Sequence, residues 1–115
     1  MEMKGTPQVA RLTVIKPFPG KRAEVQEVVE AIMQWLRTQK GYVNGWALAS
    51  VDNPDEIIRL TLWEDLDSVN AAATKQKNLA LRSKLMRLAH EYATCGGVYG
   101  INDYLPKPAG KKSTS

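Results

Sequence analysis

The segment "DNPDEIIRLTLWEDL", residues 52–66, combines a turn, a strand and the approach to a helix. Asn53-Pro54-Asp55 has the composition of a tight turn. Residues 57–64 alternate and are rich in β-formers, which predicts a strand. Its two faces differ: one carries Ile58, Leu60 and Leu62, the other Ile57, Arg59, Thr61 and Trp63. A sealed core disfavours arginine and a solvated face disfavours tryptophan, so the mixed face is predicted to line a pocket.

The residues before this segment predict a strand, a helix and a second strand. Residues 8–16 alternate as a strand does, and residues 22–39 show apolar residues at helical spacing. The stripe consists of Val25, Val28, Val29, Ile32, Trp35 and Leu36. Gly41 is predicted to end this helix. Residues 42–51 then form a strand that pairs with residues 57–64 in a hairpin.

The residues after the segment predict a long helix and a fourth strand. Asp67 or Ser68 is the expected cap, and a stripe at helical spacing follows: Leu81, Leu85, Leu88 and Tyr92. A break near Lys77-Asn78 is compatible with this pattern but not required by it. Gly96-Gly97 is expected to end the helix, and residues 98–105 to form the strand. The resulting order βαββαβ is that of the ferredoxin-like plait.

This order predicts a four-stranded antiparallel sheet with two helices on one face, in an α+β domain. Residues 1–7 are expected to be a flexible lead, residues 8–105 the domain, and residues 106–115 a disordered tail. Neither face of the predicted sheet is polar in character. A second copy of the chain is therefore expected to cover the open face, giving a homodimer.

The composition of the chain argues against two classes of binding partner, nucleic acids and membranes. The chain of 115 residues has a net charge of +4, but four lysines of the two predicted tails supply this excess: Lys4, Lys107, Lys111 and Lys112. No aromatic ladder accompanies the basic residues, so no nucleic-acid partner is predicted. No apolar run approaches the roughly 20 residues that span a bilayer, so no membrane partner is predicted. The single cysteine, Cys95, cannot form an internal disulfide, which suits a cytoplasmic protein.

Two segments resemble the antibiotic biosynthesis monooxygenase (ABM) family: "KPFPGKRAEVQEVVEAIMQWLRTQKGYVNGWAL", residues 16–48, and "DNPDEIIRLTLWEDLDSVNAA", residues 52–72. The resemblance extends over residues 8–105 and implies a dimeric α+β barrel. It also implies cofactor-independent oxidation of a small phenol- or quinol-like aromatic substrate by O₂. The alternative is a barrel of the same superfamily that binds a small ligand, or only dimerises, without catalysis.

The resemblance also suggests site residues. Trp63 matches a tryptophan that lines the substrate cavity in some family members; the alternative is a plain core aromatic. Arg59 lies where some family oxygenases have an amide, and it is the candidate catalytic donor to a phenolate or carboxylate. The alternative for Arg59 is a salt bridge, for example to Glu64 or Asp103. Trp46 and Asn44 on the paired strand are candidate substrate-binding residues if the hairpin register brings them beside Arg59.

A second catalytic candidate is His90, the only histidine, expected late in the second helix. Its ordinary pKa suits a general base near neutral pH, and an exposed helix histidine is the alternative. Many family members have a histidine near Ala72-Ala73, and alanine there cannot ligate haem iron. One histidine and one cysteine do not form a zinc cluster, and no flavin or nicotinamide motif is present. No metal and no cofactor are therefore predicted.

Overall fold

The computed structural model of the chain describes residues 6–101, apart from the side chains of residues 91–96. The elements are β1 (Val9–Pro17), α1 (Arg22–Leu36), β2 (Tyr42–Ala49), β3 (Ile57–Trp63), α2 (Leu66–Thr74), α3 (Gln76–Met86) and β4 (Ala89–Gly100). All strand pairs are antiparallel, in the order β2-β3-β1-β4. The predicted α+β ferredoxin-like plait is confirmed, with three helices in place of two. Most of the predicted lead and the whole predicted tail lie outside the described residues.

The apolar stripe of α1 packs on the sheet, as its spacing predicts. Val25, Val29 and Ile32 are fully buried and belong to one core cluster with strand residues such as Ile15 and Trp63. Trp35 is only partly buried at the margin of this cluster. The i, i+3, i+4 pattern therefore gives the buried face of α1 correctly, because that face is set by local helix geometry.

Gly41 joins the end of the α1 region to β2 and contacts the start of α2. Its φ of 85° lies in the left-handed region that glycine adopts without strain. Its carbonyl accepts a hydrogen bond from Glu64 N (2.8 Å). A Cβ at this position would collide with the Ser68 side chain. Any other residue at position 41 would therefore meet both backbone strain and a steric clash.

The two faces of β3 are buried in the reverse of the usual order. Arg59, Thr61 and Trp63 are all at least 95% buried under the helices, whereas Leu60 and Leu62 are only half-buried. The mixed face is thus the core side, and the aliphatic face is the open side of the sheet. Arg59 can be buried on this face because it makes polar or electrostatic contacts, which a buried charge requires.

The open face of the sheet is apolar. The register puts Trp46 opposite Leu60 and Leu48 opposite Ile58 on this face. Trp46 is 40% exposed and Leu48 is 42% exposed. Exposed aromatic and aliphatic side chains on one sheet face are typical of a surface that a partner covers.

The second half of the chain differs from its prediction. The predicted single helix is interrupted at Lys75, whose ψ of 145° is extended, and it ends at Met86 rather than at Gly96-Gly97. β4 begins at Ala89, where His90 pairs with Lys16 of β1. The backbone of this segment hydrogen-bonds with β1 over a longer stretch than a helical continuation would cover. Tertiary pairing therefore overrides the helical spacing of the leucines.

The cap of α2 also differs. Asp65, and not Asp67 or Ser68, is the N-cap, and its carboxylate accepts a hydrogen bond from Ser68 N (2.8 Å). Asp65 has extended backbone angles, as an N-cap residue requires. The hydrogen bond from Ser68 is the main cause that lowers the pKa of Asp65 below its usual value of 3.8.

Candidate functional site

A small cavity lies between the helix-covered sheet face and the α2–α3 region, and we call it the Arg59 cavity. Its lining residues are Arg11, Leu36, Arg59, Thr61, Trp63, Val69, Ala72, Ala73, Asn78 and Arg82. Three of them follow at two-residue intervals along β3, so strand alternation points them to one face. Arg11 of β1 is the cross-strand partner of Thr61 and therefore shares that face.

Trp63 is held by two specific contacts. Its Nε1 donates a hydrogen bond to Thr61 Oγ1 (2.9 Å). Its ring meets the Tyr42 ring edge to face, with centroids 5.6 Å apart. The side chain is 1% exposed. The indole is thus both a core anchor and an oriented wall of the cavity, so the two interpretations of Trp63 are compatible in one residue.

The helical side of the cavity is shaped by the interruption at Lys75. Asn78, which is 6% exposed, donates from Nδ2 to Ala73 O (3.1 Å) across this interruption. The bond links the end of α2 to the first turn of α3. Arg82 lies four residues after Asn78, and Leu85 lies seven residues after Asn78. All three are therefore on the same side of α3. Leu85 is fully buried in the core, which turns Arg82 toward the cavity.

Among the described residues that line the Arg59 cavity, three are arginines and none is acidic. Arg59 is 5% exposed, and Arg11 and Arg82 are half-buried. All three make further polar or electrostatic contacts. Of the acids considered as partners of Arg59, Asp103 lies outside the described residues. A buried guanidinium next to an aromatic wall is suited to an aromatic anion.

The cavity is small in this structure. Its free volume is about 20 Å³, which accommodates about one water molecule. A larger hollow of about 300 Å³ lies nearby, between the end of α1 and α2, but it is open to solvent and contains neither Arg59 nor Trp63. Lys40, Lys75, Asp65 and Asp67 line it, so its charges are mixed. The Arg59 cavity is the better candidate site because Arg59, Thr61 and Trp63, which line it, are nearly fully buried.

Asn44 and Trp46 do not join this cavity, so the expected grouping with Arg59 was wrong. Asn44 pairs with Leu62 and Trp46 with Leu60, which puts both on the open face. The length of the loop between β2 and β3 fixes this parity, since a shift of one residue exchanges the faces of a strand. Trp46 instead borders a shallow surface hollow between β2 and α1.

His90 is not among the residues that line the Arg59 cavity. It lies on β4, not on a helix, and its ring contacts Phe18 edge to face with centroids 4.5 Å apart. The expected helical position was wrong because α3 ends at Met86. The structure therefore separates the two catalytic candidates.

The helical side of the cavity was missed by sequence reasoning. Arg11, Asn78 and Arg82 were not among the predicted site residues. A usable signal was present: Asn78, Arg82 and Leu85 occur at i, i+4 and i+7. Polar residues in line with a buried leucine indicate a helix side that faces a polar cavity.

Among the side chains of residues 6–90 and 97–101, no group of three His, Cys, Asp or Glu is arranged to hold a metal ion. None of the helices described here is long and apolar enough to cross a membrane.

Comparison with known families gives one match. The family model "Antibiotic biosynthesis monooxygenase" matches residues 9–77, which include β1, α1, the hairpin and α2. The match contains Arg59 and Trp63 but ends before Arg82. No protein of curated function matches the sequence.

Solved structures share the fold. SnoaB of Streptomyces nogalater, a cofactor-independent oxygenase, has a TM-score of 0.74 at 20% identity, covering 89% of this chain and 100% of its own. A candidate antibiotic biosynthesis monooxygenase of Deinococcus radiodurans has a TM-score of 0.74 at 12% identity, covering 88% and 99%. Rv0793 of Mycobacterium tuberculosis has a TM-score of 0.70 at 16% identity, covering 90% and 100%. At these identities the likeness concerns the fold alone.

Proposed function

Since the chain belongs to the antibiotic biosynthesis monooxygenase family, we propose that it oxidises a small phenol- or quinol-like aromatic substrate with O₂, without metal or flavin. One observation carries this proposal: the buried Arg59 and Trp63 line the same small cavity. The oxygenase activity described for SnoaB agrees with the proposal.

The role of Arg59 is to favour the anion of the bound substrate. A guanidinium beside a phenol lowers the pKa of that phenol, because it stabilises the charged form. The resulting electron-rich anion reduces O₂ directly. One oxygen atom enters the substrate and the other leaves as water, so for a substrate written RH₂ the balance is RH₂ + O₂ → R=O + H₂O. All electrons come from the substrate, and no external reductant is needed.

Trp63 has a different role, which is to position the ring and exclude water. Its hydrogen bond to Thr61 and its contact with Tyr42 fix the indole plane. A preorganised, water-poor cavity strengthens the interaction between a guanidinium and a developing oxyanion. A ring-sized substrate needs more room than about 20 Å³. Substrate binding therefore requires the arginine side chains, or the α2–α3 segment around Lys75, to move.

The test is oxygen uptake with a panel of quinols and naphthols, in the presence of a chelator. The wild-type chain should consume O₂ faster than buffer alone. Arg59→Met should slow the reaction by roughly 100-fold, as loss of one oxyanion donor does in other enzymes. Arg87→Met is the matched control, because Arg87 is exposed at the end of α3 and outside the cavity. Oxygen uptake that equals the uncatalysed rate, or that survives Arg59→Met, contradicts the proposal.

A barrel of the same fold without catalysis is the second candidate. The small volume of the cavity favours the form that only dimerises, because about 20 Å³ is too little for an aromatic ring; in that case a quinol should neither bind saturably nor raise oxygen uptake above background. Saturable binding of a quinol without oxygen uptake, dependent on Arg59, would instead support a ligand-binding barrel.

The assembly that we propose is a homodimer formed through the open sheet face. Its support is the apolar character of that face, where Trp46 and Leu48 are substantially exposed. Covering this face with its own copy would remove these side chains from water and leave the helix-covered face, with the Arg59 cavity, on the other side of each sheet.

A further inference from the structure

We infer that Asn78 is a specificity-determining residue of the Arg59 cavity, and that its Oδ1 accepts a hydrogen bond from a hydroxyl that the bound substrate keeps protonated. The inference rests on the proposed function, since it concerns the substrate of the same site. It gives the substrate a second hydroxyl besides the one whose anion Arg59 favours. Its basis is the orientation of the Asn78 amide and the shortage of hydrogen-bond acceptors around the cavity.

The orientation of the Asn78 amide is determined by one hydrogen bond. Asn78 Nδ2 donates to the backbone oxygen of Ala73 (3.1 Å). A carbonyl oxygen only accepts hydrogen bonds, so the nitrogen of the amide, and not its oxygen, must face Ala73. The Oδ1 atom therefore points away from the end of α2.

The Oδ1 atom of Asn78 is a buried acceptor that borders the cavity. Asn78 is 6% exposed, and no described residue donates a hydrogen bond to Oδ1. This oxygen is not one of the fully enclosed polar atoms that lack a partner in the described part of the chain, so it keeps contact with free space. The free space that Asn78 lines is the Arg59 cavity. A donor on a bound ligand would satisfy this acceptor, whose lack of a partner destabilises the empty site.

The other polar side chains of the cavity are mainly donors. A guanidinium and an indole N–H cannot accept a hydrogen bond, so the three arginines cannot accept from a hydroxyl, whatever their other contacts are. Thr61 Oγ1 can accept, but it already receives the hydrogen bond of Trp63 Nε1 (2.9 Å). Among the described side chains that line the cavity, Asn78 Oδ1 is thus the acceptor to which no described residue donates.

Arg59 and Asn78 favour opposite protonation states of a ligand oxygen. A guanidinium favours an oxygen that has lost its proton, whereas an amide oxygen favours a hydroxyl that keeps its proton and donates it. One phenol oxygen cannot be an anion at Arg59 and a donor to Asn78 at the same time. The inferred substrate class is therefore an aromatic compound with two hydroxyls, of which one ionises and the other stays neutral.

The experiment compares hydroquinone with 4-fluorophenol, in which a fluorine of similar size replaces one hydroxyl and cannot donate a hydrogen bond. The remaining hydroxyl of 4-fluorophenol can still face Arg59. Binding to the full chain is measured by calorimetric titration under anaerobic conditions, so that no oxidation takes place. The wild-type chain should bind hydroquinone roughly 10-fold more tightly, the effect of leaving a buried acceptor without its donor.

Two variants of Asn78 separate recognition of the hydroxyl from a purely structural role. Asn78→Leu removes the acceptor and should bring the ratio of the two affinities close to one. Asn78→Asp removes the donor to Ala73 but keeps an accepting oxygen, so it should retain the preference for hydroquinone. If the hydrogen bond between α2 and α3 were the whole role of Asn78, both variants would change the ratio alike. Asn70→Leu is the matched control, because Asn70 is exposed on α2 and outside the cavity, and it should leave the ratio unchanged.

Three results would overturn the inference. The first is a wild-type chain that binds the two ligands equally or binds neither. The second is a preference for hydroquinone that survives in Asn78→Leu, which would put the hydroxyl elsewhere. The third is a loss of the preference in Asn78→Asp, which decides the question if Asn78→Leu does not fold.

Oxygen uptake distinguishes this inference from the proposed function. A chain that prefers hydroquinone through Asn78 but consumes no O₂ contradicts the oxygenase proposal and supports the role of Asn78. A chain that oxidises quinols with the same KM in the wild type and in Asn78→Leu supports the oxygenase proposal and contradicts the role of Asn78.

Discussion

Trp63→Ala tests whether the Arg59 cavity is closed or already open. The indole is 1% exposed, so its removal deletes a fully buried side chain. Tryptophan-to-alanine changes in cores cost about 3–5 kcal/mol, and the cost rises with the volume of the void that remains. The existing free space beside Trp63 is only about 20 Å³, so nearly the whole indole volume becomes new cavity. We therefore expect a loss in the upper part of that range.

The assay is urea denaturation followed by far-UV circular dichroism at one fixed protein concentration, because association contributes to apparent stability. The expected loss corresponds to a fall in Tm on the order of 10–20 °C. Thr61→Val is the companion variant: it keeps the shape of the side chain but removes the acceptor of Trp63 Nε1, which should cost about 1–3 kcal/mol. A loss below about 1.5 kcal/mol for Trp63→Ala would refute the reasoning, since a tightly packed tryptophan cannot be removed so easily.

Three further predictions follow from the described contacts. Tyr42→Phe should leave stability unchanged or raise it slightly in thermal melts, because the buried Tyr42 hydroxyl has no hydrogen-bond partner among the described residues; a loss above about 1 kcal/mol would reveal a partner. Asp65 has a lowered pKa, so the stability that its carboxylate contributes to the folded state is fully present above pH 3.8. This stability is lost as the pH falls through the folded-state pKa of Asp65. Asp65→Asn should therefore reduce the loss of stability that occurs on acidification. An unchanged loss would contradict the role of Asp65 as the N-cap of α2. Sedimentation should show a dimer at micromolar concentration, and Leu60→Glu on the open face should yield monomers; a wild-type monomer would disprove the homodimer.

The sequence predicted the first half of the fold well, for a local reason. The buried stripe of α1 and the hairpin of β2 and β3 are both determined by periodicity and turn residues within short stretches. The region after Lys75 was predicted poorly. Leu81, Leu85, Leu88 and Tyr92 continue a helical spacing into β4, and only pairing with β1, distant in sequence, decides against the helix. Such pairing leaves no mark in local periodicity.

The candidate site was predicted in the part that depends on a single strand. Arg59 and Trp63 share a face by parity alone, and in the structure both line one small cavity; their role as site residues stays a prediction. The other arginines come from β1 and α3, and their convergence depends on how these elements pack. His90 was misplaced with its helix, and Asn44 was assigned to the wrong face because loop length, not residue type, sets the register.

The loop of residues 50–56 has an evolutionary consequence. The register fixes Ala47 and Gly45 opposite Arg59 and Thr61, so the part of β2 beyond Asn44 presents only glycine and alanine to the helix-covered side. Insertion or deletion of one loop residue would exchange the residues of β2 that face the helices with those on the open face. The side chains at positions 44 and 46 would then be brought toward the cavity. Homologous chains that differ by a single-residue gap in this loop can thus acquire a different cavity wall without any amino-acid substitution. Alignments of such chains should be checked for that gap before site residues are transferred along β2.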